Sequence, residues 1–543
     1  MSATATEGVG KSSVIMGLGS LVSRITGFGR TVVISAAIGA GLLGNSYTTS
    51  QFFPQMIFEL VMGGIFTGII LPLFVKARKN DPDDGAAFTQ RLLTLAFLLL
   101  ALATVAATLA SPLIARAMSE NAEQAVLVTK LTYWMMPALM FYGLAAILGG
   151  VLNSRERFAA PMWVPIINNI VVISVGVAFY VLFTGSSQIE SPDEVTPGMI
   201  MLLGAGTTAG IVIQVMALFP ALRKAGFHWK WRFDFRALPL REIAHMATWS
   251  MVFVVLNQAS VAAVLRFANG AAGSADDDGP FVAGATVYNN SYLIMMMVYG
   301  IIGVSIVTAL MPRMTRAADD SNWEDLKAHL RGGLRMMSFL VIPAAAILVA
   351  LNQPAAFAVF QWGIYTPAQA EATGYVLVAA ALSLLPFGIS QMQLYAFFAQ
   401  TDTRMVALIN IPVIAIRVGC YIFAFVLLPL EWIVVGLFAA NGVSYLVSVF
   451  LAFVILRRRM GLLGMFGVLK GQAVMAFAAV CAAGVAWLVY QVWPSPLDDK
   501  FSQILSTAVP GMVALLVYVL ICMALRVNEV RDLHTLVRSK LGR

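Results

Sequence analysis

Long apolar blocks separated by short polar stretches dominate the chain. Fourteen of them follow one another, at roughly 12–40, 47–75, 92–114, 127–152, 161–184, 199–222, 243–269, 282–312, 335–352, 373–399, 405–429, 432–456, 471–493 and 502–525. A helix needs about 20 mostly apolar residues to cross a bilayer, and each block supplies them. The pattern predicts an all-α polytopic membrane protein of about fourteen transmembrane helices. It divides into a first lobe over 1–222, a basic linker at 223–242, a second lobe over 243–456, and two further spans with a tail over 457–543.

Charge then orients the spans. With the N-terminus inside, 28 of the 35 Lys and Arg residues fall in inner segments and only Arg116 and Lys500 fall outside. One miscounted span would swap every later loop and destroy this asymmetry, so both termini are expected in the cytoplasm. The net charge of +8 belongs to the inner face, where topology and anionic lipid account for it without nucleic acid. Two inner segments stand out. Arg223 to Arg241 is basic and studded with aromatics, which suits a linker lying on the membrane surface. Trp323 to Leu334 spaces its leucines like an amphipathic surface helix.

Candidate chemistry starts from charges inside the apolar blocks. Five basic residues lie within spans: Arg24, Arg30, Lys130, Arg266 and Arg417. Lys130 lies near a span end and can snorkel. Arg24 lies about 12 residues into the first span, roughly 18 Å deep, where lipid exposure is costly and a bundle interior or wet cavity is expected. Arg30 is six residues on, about 240° around a straight helix, so the two would not share a face. Gly27 and Gly29 lie between them and suggest a flexible joint that turns both guanidiniums into one space. Planar, permanently charged arginines suit phosphate.

Glu59 falls at about the depth of Arg24 and has two readings: a buried ion pair joining the first two spans, or a gating partner that releases an arginine. Spans seven and eight add polar side chains, among them Gln258, Arg266 and Asn290, which read either as a hydrated lining or as interhelical hydrogen bonds, and Arg266, nearer the outer end, either snorkels or faces a cavity. Arg417, mid-span, serves either a second cavity or an internal pairing.

Other chemistry finds little support. Cys420, Cys481 and Cys522 sit in apolar runs at spacings that suit neither disulfides nor a metal, and the four histidines never cluster with them. No metal and no cofactor are expected. Gly8 to Ser12 ends like a phosphate-binding loop but lacks its first glycine and its strand. The first span is too long and too charged for a cleaved signal peptide.

The motifs SRITGFGR (23–30), GVLNSRERFAAPMWVPIINN (150–169), GTTAGIVIQ (206–214), GIIGVSIVTALMPRMTR (300–316), FQWGIYT (360–366) and YAFFAQTDTRM (395–405) extend over most of the chain. In these the sequence resembles the MurJ (MviN) family of lipid II flippases, of the multidrug/oligosaccharidyl-lipid/polysaccharide (MOP) exporter superfamily, and its actinobacterial members above all. The resemblance implies two six-helix lobes around a central cavity, with two C-terminal helices forming a groove for the undecaprenyl tail. It implies alternating access that moves lipid II to the outer leaflet of the bacterial cytoplasmic membrane for peptidoglycan synthesis, without ATP. The implied partners are lipid II, membrane lipids and cell-wall synthesis proteins, with coupling to membrane potential or an ion. Arg24 and Arg30 match the family's essential pair in the first span. The family's arginines in spans two and eight align with Phe58 and Leu293, and an acidic residue at the start of span two appears as Asn45. Arg266 is a candidate replacement for the missing cations. No mid-depth carboxylate in spans seven, eleven or twelve matches the sodium site of some relatives.

Three other functions compete. Another exporter of the same fold would carry a different lipid-linked saccharide or a drug cation, although a cation antiporter favours buried acids and only Glu59 qualifies. A membrane glycosyltransferase would use Asp276, Asp277 and Asp278. A scaffold for wall enzymes would not need its buried arginines.

Overall fold

The computed structural model describes residues 3–63, 74, 83–119, 121–184, 189, 191–235, 240–274, 280–493, 500–527 and 529–530. These form sixteen α-helices: α1 (Ala3–Ile38), α2 (Leu42–Phe58), α3 (Ala86–Met118), α4 (Ala122–Met135), α5 (Ala138–Ser154), α6 (Ala159–Phe179), α7 (Pro197–Lys224), α8 (Leu240–Gly273), α9 (Ala285–Asp319), α10 (Trp323–Ala350), α11 (Asn352–Phe360), α12 (Pro367–Ala399), α13 (Thr403–Leu427), α14 (Leu430–Met460), α15 (Phe466–Val492) and α16 (Lys500–Ala524). Twelve are long and apolar enough to cross a membrane, and α4 with α5 makes a thirteenth span bent by 42°. The bend lies at Pro137, which cannot donate to the helical ladder. The remaining expected span, 47–75, is seen as α2, a π-helical turn over Glu59–Gly63 and Phe74, its other residues lying outside the described ones.

Several helix starts are written locally. Asn121, Asn322 and Asp402 each accept a hydrogen bond from the backbone N–H three residues on, at 2.8, 3.2 and 2.9 Å. Thr196 and Thr366 cap α7 and α12 in the same way, each followed by a proline in the first turn, where a missing N–H costs nothing. Gly8 to Ser12 lies inside α1 and forms no phosphate loop.

The chain divides into two units. The first holds Met1–Ser274 with Gly284–Thr286 and Trp362–Tyr365; the second holds Ala275–Ala283, Val287–Gln361 and Thr366–Arg543. In the first, α1 packs along α6, α6 along α7, and α2 against α4 and α5. Span seven, α8, also belongs here. Asn269 on α8, fully buried, donates from Nδ2 to Thr49 Oγ1 and to the carbonyl of Met118, both at 2.9 Å. Two short segments dock on the junction of α1 and α2. Ile364 donates its N–H to Ala36 O at 2.9 Å, and Thr286 donates its N–H to Asn45 Oδ1 at 2.9 Å. Gly363 makes the first approach feasible: its φ is +56°, and a Cβ there would stand 2.3 Å from Ala36 O.

In the second unit, α12 packs on α14 and α10, and α15 with α16 covers α10. Arg417 resolves to the pairing reading. Its Nε donates to Ser444 Oγ at 2.8 Å and its guanidinium lies 5.0 Å from the Tyr445 ring centre. Beside it, Asn441 accepts from Tyr421 and donates to Tyr288, at 2.7 and 2.8 Å.

One local expectation needs correction. Trp323 to Leu334 is not a separate surface helix but the first three turns of α10: Leu326, Leu330 and Leu334 are buried, and Lys327 donates to Glu324 and to the C-terminal carbonyl of α14 at Met460. The linker, described as far as Phe235, runs extended after α7 and is pinned to α3. Gln90 donates to His228 O and accepts from Arg232 Nε, at 2.8 and 3.0 Å, while Arg91 pairs with Asp234 at 2.6 Å. Extended backbone throws alternate side chains to one side, so Trp229, Trp231, Phe233 and Phe235 form a ladder with neighbouring ring centres 5.0 to 6.5 Å apart. The hydrogen bond from Arg91 holds the Asp234 carboxyl below its ordinary range. This contact therefore stabilises the docked linker above the ordinary carboxylate pKa and is lost as pH falls through the lowered one.

Two substitution sets test these contacts by thermal unfolding of purified protein. Gly363→Ala should lower the midpoint, since left-handed backbone alone costs about 1–2 kcal/mol in an L-residue, before the clash with Ala36 O. Gly419→Ala on α13, where a Cβ meets nothing within 4 Å, should leave it unchanged or raise it. Arg417→Lys keeps the charge but loses the Nε bond and the planar ring contact, about 1 kcal/mol each, and should also lower the midpoint.

Candidate functional site

The first two arginines stand on α1, which packs along α6. One side of α1 rests on α6. A Cβ on Gly19 would stand 2.6 Å from the Trp163 indole, Asn169 reaches Ser23 and Thr26, and Gly176 lies under Val33 and Ile34. Asn169 carries the middle of this seam, donating from Nδ2 to Ser23 O at 3.1 Å and to Thr26 Oγ1 at 2.9 Å. Thr26 in turn donates to Val22 O at 2.9 Å. The turn between the arginines is therefore locked to a neighbour.

That lock replaces the expected joint. The helix α1 runs unbroken from Ala3 to Ile38, with Gly27 in ordinary contact with Asn169 and Gly29 facing open space. At 100° per residue Arg30 falls on the sector between Thr26 and Gly27, and Arg24 lies about 120° away from it. Both side chains are half-buried, and among the described residues neither makes a hydrogen bond or an ion pair. They are permanent cations at span depth whose charge the described protein leaves uncompensated.

Arg30 has identifiable surroundings. Its charge acts on the phenols of Tyr47 on α2 and Tyr142 on α5. Tyr47 is held by a 2.8 Å hydrogen bond with Thr207 on α7. The ring of Phe58, where the resembling family carries an arginine, lies 6.3 Å from that of Tyr142. The position thus faces the same part of the bundle but supplies an aromatic wall in place of a charge.

The other candidates separate. Glu59, half-buried in the π-helical turn, makes no ion pair among the described residues, so the expected pairing with Arg24 is not formed. Asn45 is buried and acts as a clamp: its Oδ1 serves the N-terminus of α9, and Thr48 adds a 3.1 Å bond to Thr286 Oγ1. Arg266 and Gln258 are half-buried on α8 in the first unit, with Arg266 one turn before the Asn269 anchor. Asn290, buried, and Leu293 belong to the second unit. Asp276 to Asp278 lie outside the described residues.

Sequence reasoning missed Asn169, Tyr142 and Asn269. An asparagine pair, Asn168 and Asn169, inside the fifth apolar block was the available signal, because a polar side chain at that depth needs a partner. Nothing in the pattern singled out Tyr142.

Comparison with known proteins bears on the whole chain. The family model described as "Lipid II flippase MurJ" matches residues 34–507, a range that begins after Arg30 and so does not rest on the arginine pair. A probable lipid II flippase MurJ of Rhizobium tropici is 24% identical over 512 residues, covering 93% of this chain and 92% of its own. One of Synechocystis is 26% identical over 395 residues, covering 72% and 71%. Among solved structures, a lipid II flippase MurJ in an inward closed conformation superposes with a TM-score of 0.72 at 17% identity, covering 94% of this chain and 99% of that one. An inward-facing multidrug resistance MATE family transporter of the MOP superfamily gives 0.62 at 14% identity, covering 82% and 99%. These structures share the fold, and the family match reaches across nearly all of the spans. The chain is a multi-pass membrane transporter and belongs to the MurJ family of lipid II flippases.

Proposed function

We propose that this chain carries lipid II, the undecaprenyl-diphosphate-linked muropeptide, from the inner to the outer leaflet of a bacterial cytoplasmic membrane by alternating access, with both termini in the cytoplasm. The observation that carries the site assignment is the pair of half-buried arginines on α1 that have no partner among the described residues. A guanidinium cannot shed its proton, so at this depth it seeks an anion. A diphosphate offers several oxygens to planar, paired donors. Tyr142 adds a phenolic hydroxyl near Arg30, where an entering headgroup would need hydrogen bonds to replace its water, whereas Tyr47 spends its proton on Thr207 and shapes the wall. Membership of the family supports the cargo, and the Lys and Arg bias supports the orientation.

The empty carrier, with its cations exposed to the transmembrane field, is reset by membrane potential or an ion gradient. Moving one charge through 100 mV is worth about 2.3 kcal/mol, enough to bias a two-state equilibrium about 50-fold. Arg266 is the reserve cation for positions Phe58 and Leu293. The drug/cation reading would place a buried acid at the centre, and Glu59 is the one candidate it has.

Depletion in cells tests the assignment: exposure of lipid II to an outside probe should fall, and wild-type protein should restore it. Replacement of Arg24 or Arg30 by Gln should each reduce that restoration by about 10- to 100-fold, the loss of one charge-assisted contact worth about 1.5–3 kcal/mol. Normal lipid II exposure in depleted cells would reject the cargo. Full activity of the double Gln variant would reject the site. Arg30→Lys tests geometry: a retained point charge without the planar fork should restore activity only in part.

A further inference from the structure

A second basic site lies in the first unit, at the end of α3 remote from the docked linker. Arg91, paired with Asp234, is 25 residues before Arg116, so about 37 Å of helix separates them, enough to cross the hydrocarbon layer. At the Arg116 end, α3 and α4 enclose a cavity of about 640 Å³. Its polar side is formed by Arg116, Ser119, Asn121, Thr129 and Lys130, and Pro112, Ala122, Ala125 and Val126 form the apolar side.

Three observations point to a ligand. Arg116 and Lys130 are exposed, and among the described residues neither is in an ion pair; Glu123, on the first turn of α4, makes none either. Ser119 is only 3% exposed, yet its hydroxyl has no hydrogen-bond partner among the described residues. A buried hydroxyl left in this state costs about 1–3 kcal/mol, which a bound acceptor would recover. Lastly, the end of the bundle concerned is poor in cations. Arg116 is one of the two basic residues that the charge pattern places outside, Lys130 near its span end converges on the same cavity, and the attraction of inner loops to anionic lipid explains neither.

The chemistry of the walls identifies the class. Leu102, Val105, Leu109 and Leu113 are exposed and recur at helical spacing on the face of α3 that ends in Arg116. A ligand with apolar chains can lie along this stripe while its anion sits between guanidinium and ammonium. We infer that the α3–α4 cavity binds the phosphodiester headgroup of an anionic membrane lipid. Arg116 gives paired donors, Lys130 gives a point charge at the end of a flexible stem, and Ser119 donates its unused hydroxyl. The site is separate in sequence and in helix from Arg24 and Arg30, so it stands or falls independently of them.

The test is native mass spectrometry of the full-length protein, released from detergent after incubation with phosphatidylglycerol or with phosphatidylcholine. Wild-type protein should retain phosphatidylglycerol in preference. Arg116→Gln with Lys130→Gln should lower that retention at least about tenfold, as loss of charge-assisted bonds requires. Arg116→Lys with Lys130→Arg should keep most of it, which separates charge loss from misfolding. A control pair on α14 in the second unit, Arg457→Gln with Arg458→Gln, should leave it unchanged. Equal retention by wild-type and the Arg116/Lys130 Gln variant, or an equal loss in the control pair, overturns the inference. A second arm uses inorganic phosphate alone. If phosphate protects the cavity against heat in wild-type protein while phosphatidylglycerol does not, the site takes a free anion and the lipid assignment is wrong.

Discussion

A permanent positive charge cannot face acyl chains, and this one constraint organises what is distinctive in the molecule. The cost of an arginine at the centre of a bilayer is about 2.5–3.5 kcal/mol on insertion scales, and neutralisation by proton loss is closed to it. Each buried guanidinium must therefore be satisfied by the protein or be held where an outside anion can satisfy it. Arg417 takes the first course. Ser444 and the Tyr445 ring complete its surroundings inside the second unit, in a network that continues through Asn441, Tyr288 and Tyr421. Arg24 and Arg30 take the second, because no described side chain neutralises them.

Leaving charges open requires that the helix bearing them stay in place. The grip of α6 on α1 supplies this through Asn169, which bonds the backbone and the threonine of the turn between the two arginines. A polar side chain is used here where apolar packing would give adhesion without register. Farther along the same helix, Ala36 O receives Ile364, and just beyond it Asn45 receives Thr286. Helix α1 and the start of α2 are thus tied at several points by hydrogen bonds whose partners come from distant parts of the sequence. In the low dielectric of a membrane interior, such bonds are costly to leave unmade, which makes them directional fasteners.

The division between what was legible and what was not follows from the range of the interactions. Spans were legible because length and apolarity are local. The bend at Pro137 was written in the sequence but falls within one apolar block, so the pair α4 and α5 read as a single span. Trp323 to Leu334 showed its leucine stripe plainly; what covers that stripe is set by tertiary packing, and Lys327 reaching Met460 joins residues 133 apart. The candidate arginines were legible from depth alone. Their relation to Glu59 was not, since equal depth says nothing of azimuth, and the glycines between them suggested a break that Asn169 and Thr26 hold closed. Asn45, a cavity candidate standing where the resembling family has an acidic residue, is a clamp for the start of α9. Phe58 in place of a family arginine was visible as a departure, and its contact with Tyr142 gives that departure a physical meaning.

The central claim is that the α1 arginines form a seat for a diphosphate, and a binding measurement tests it most directly. Purified protein would be titrated with three polyprenyl ligands of equal chain length, bearing a diphosphate, a monophosphate or a hydroxyl. The account predicts affinity in the order diphosphate, monophosphate, alcohol, with both steps of discrimination erased when Arg24 and Arg30 are both replaced by Gln. Equal affinity for all three in the wild-type protein, or a diphosphate preference that survives the double replacement, would contradict it.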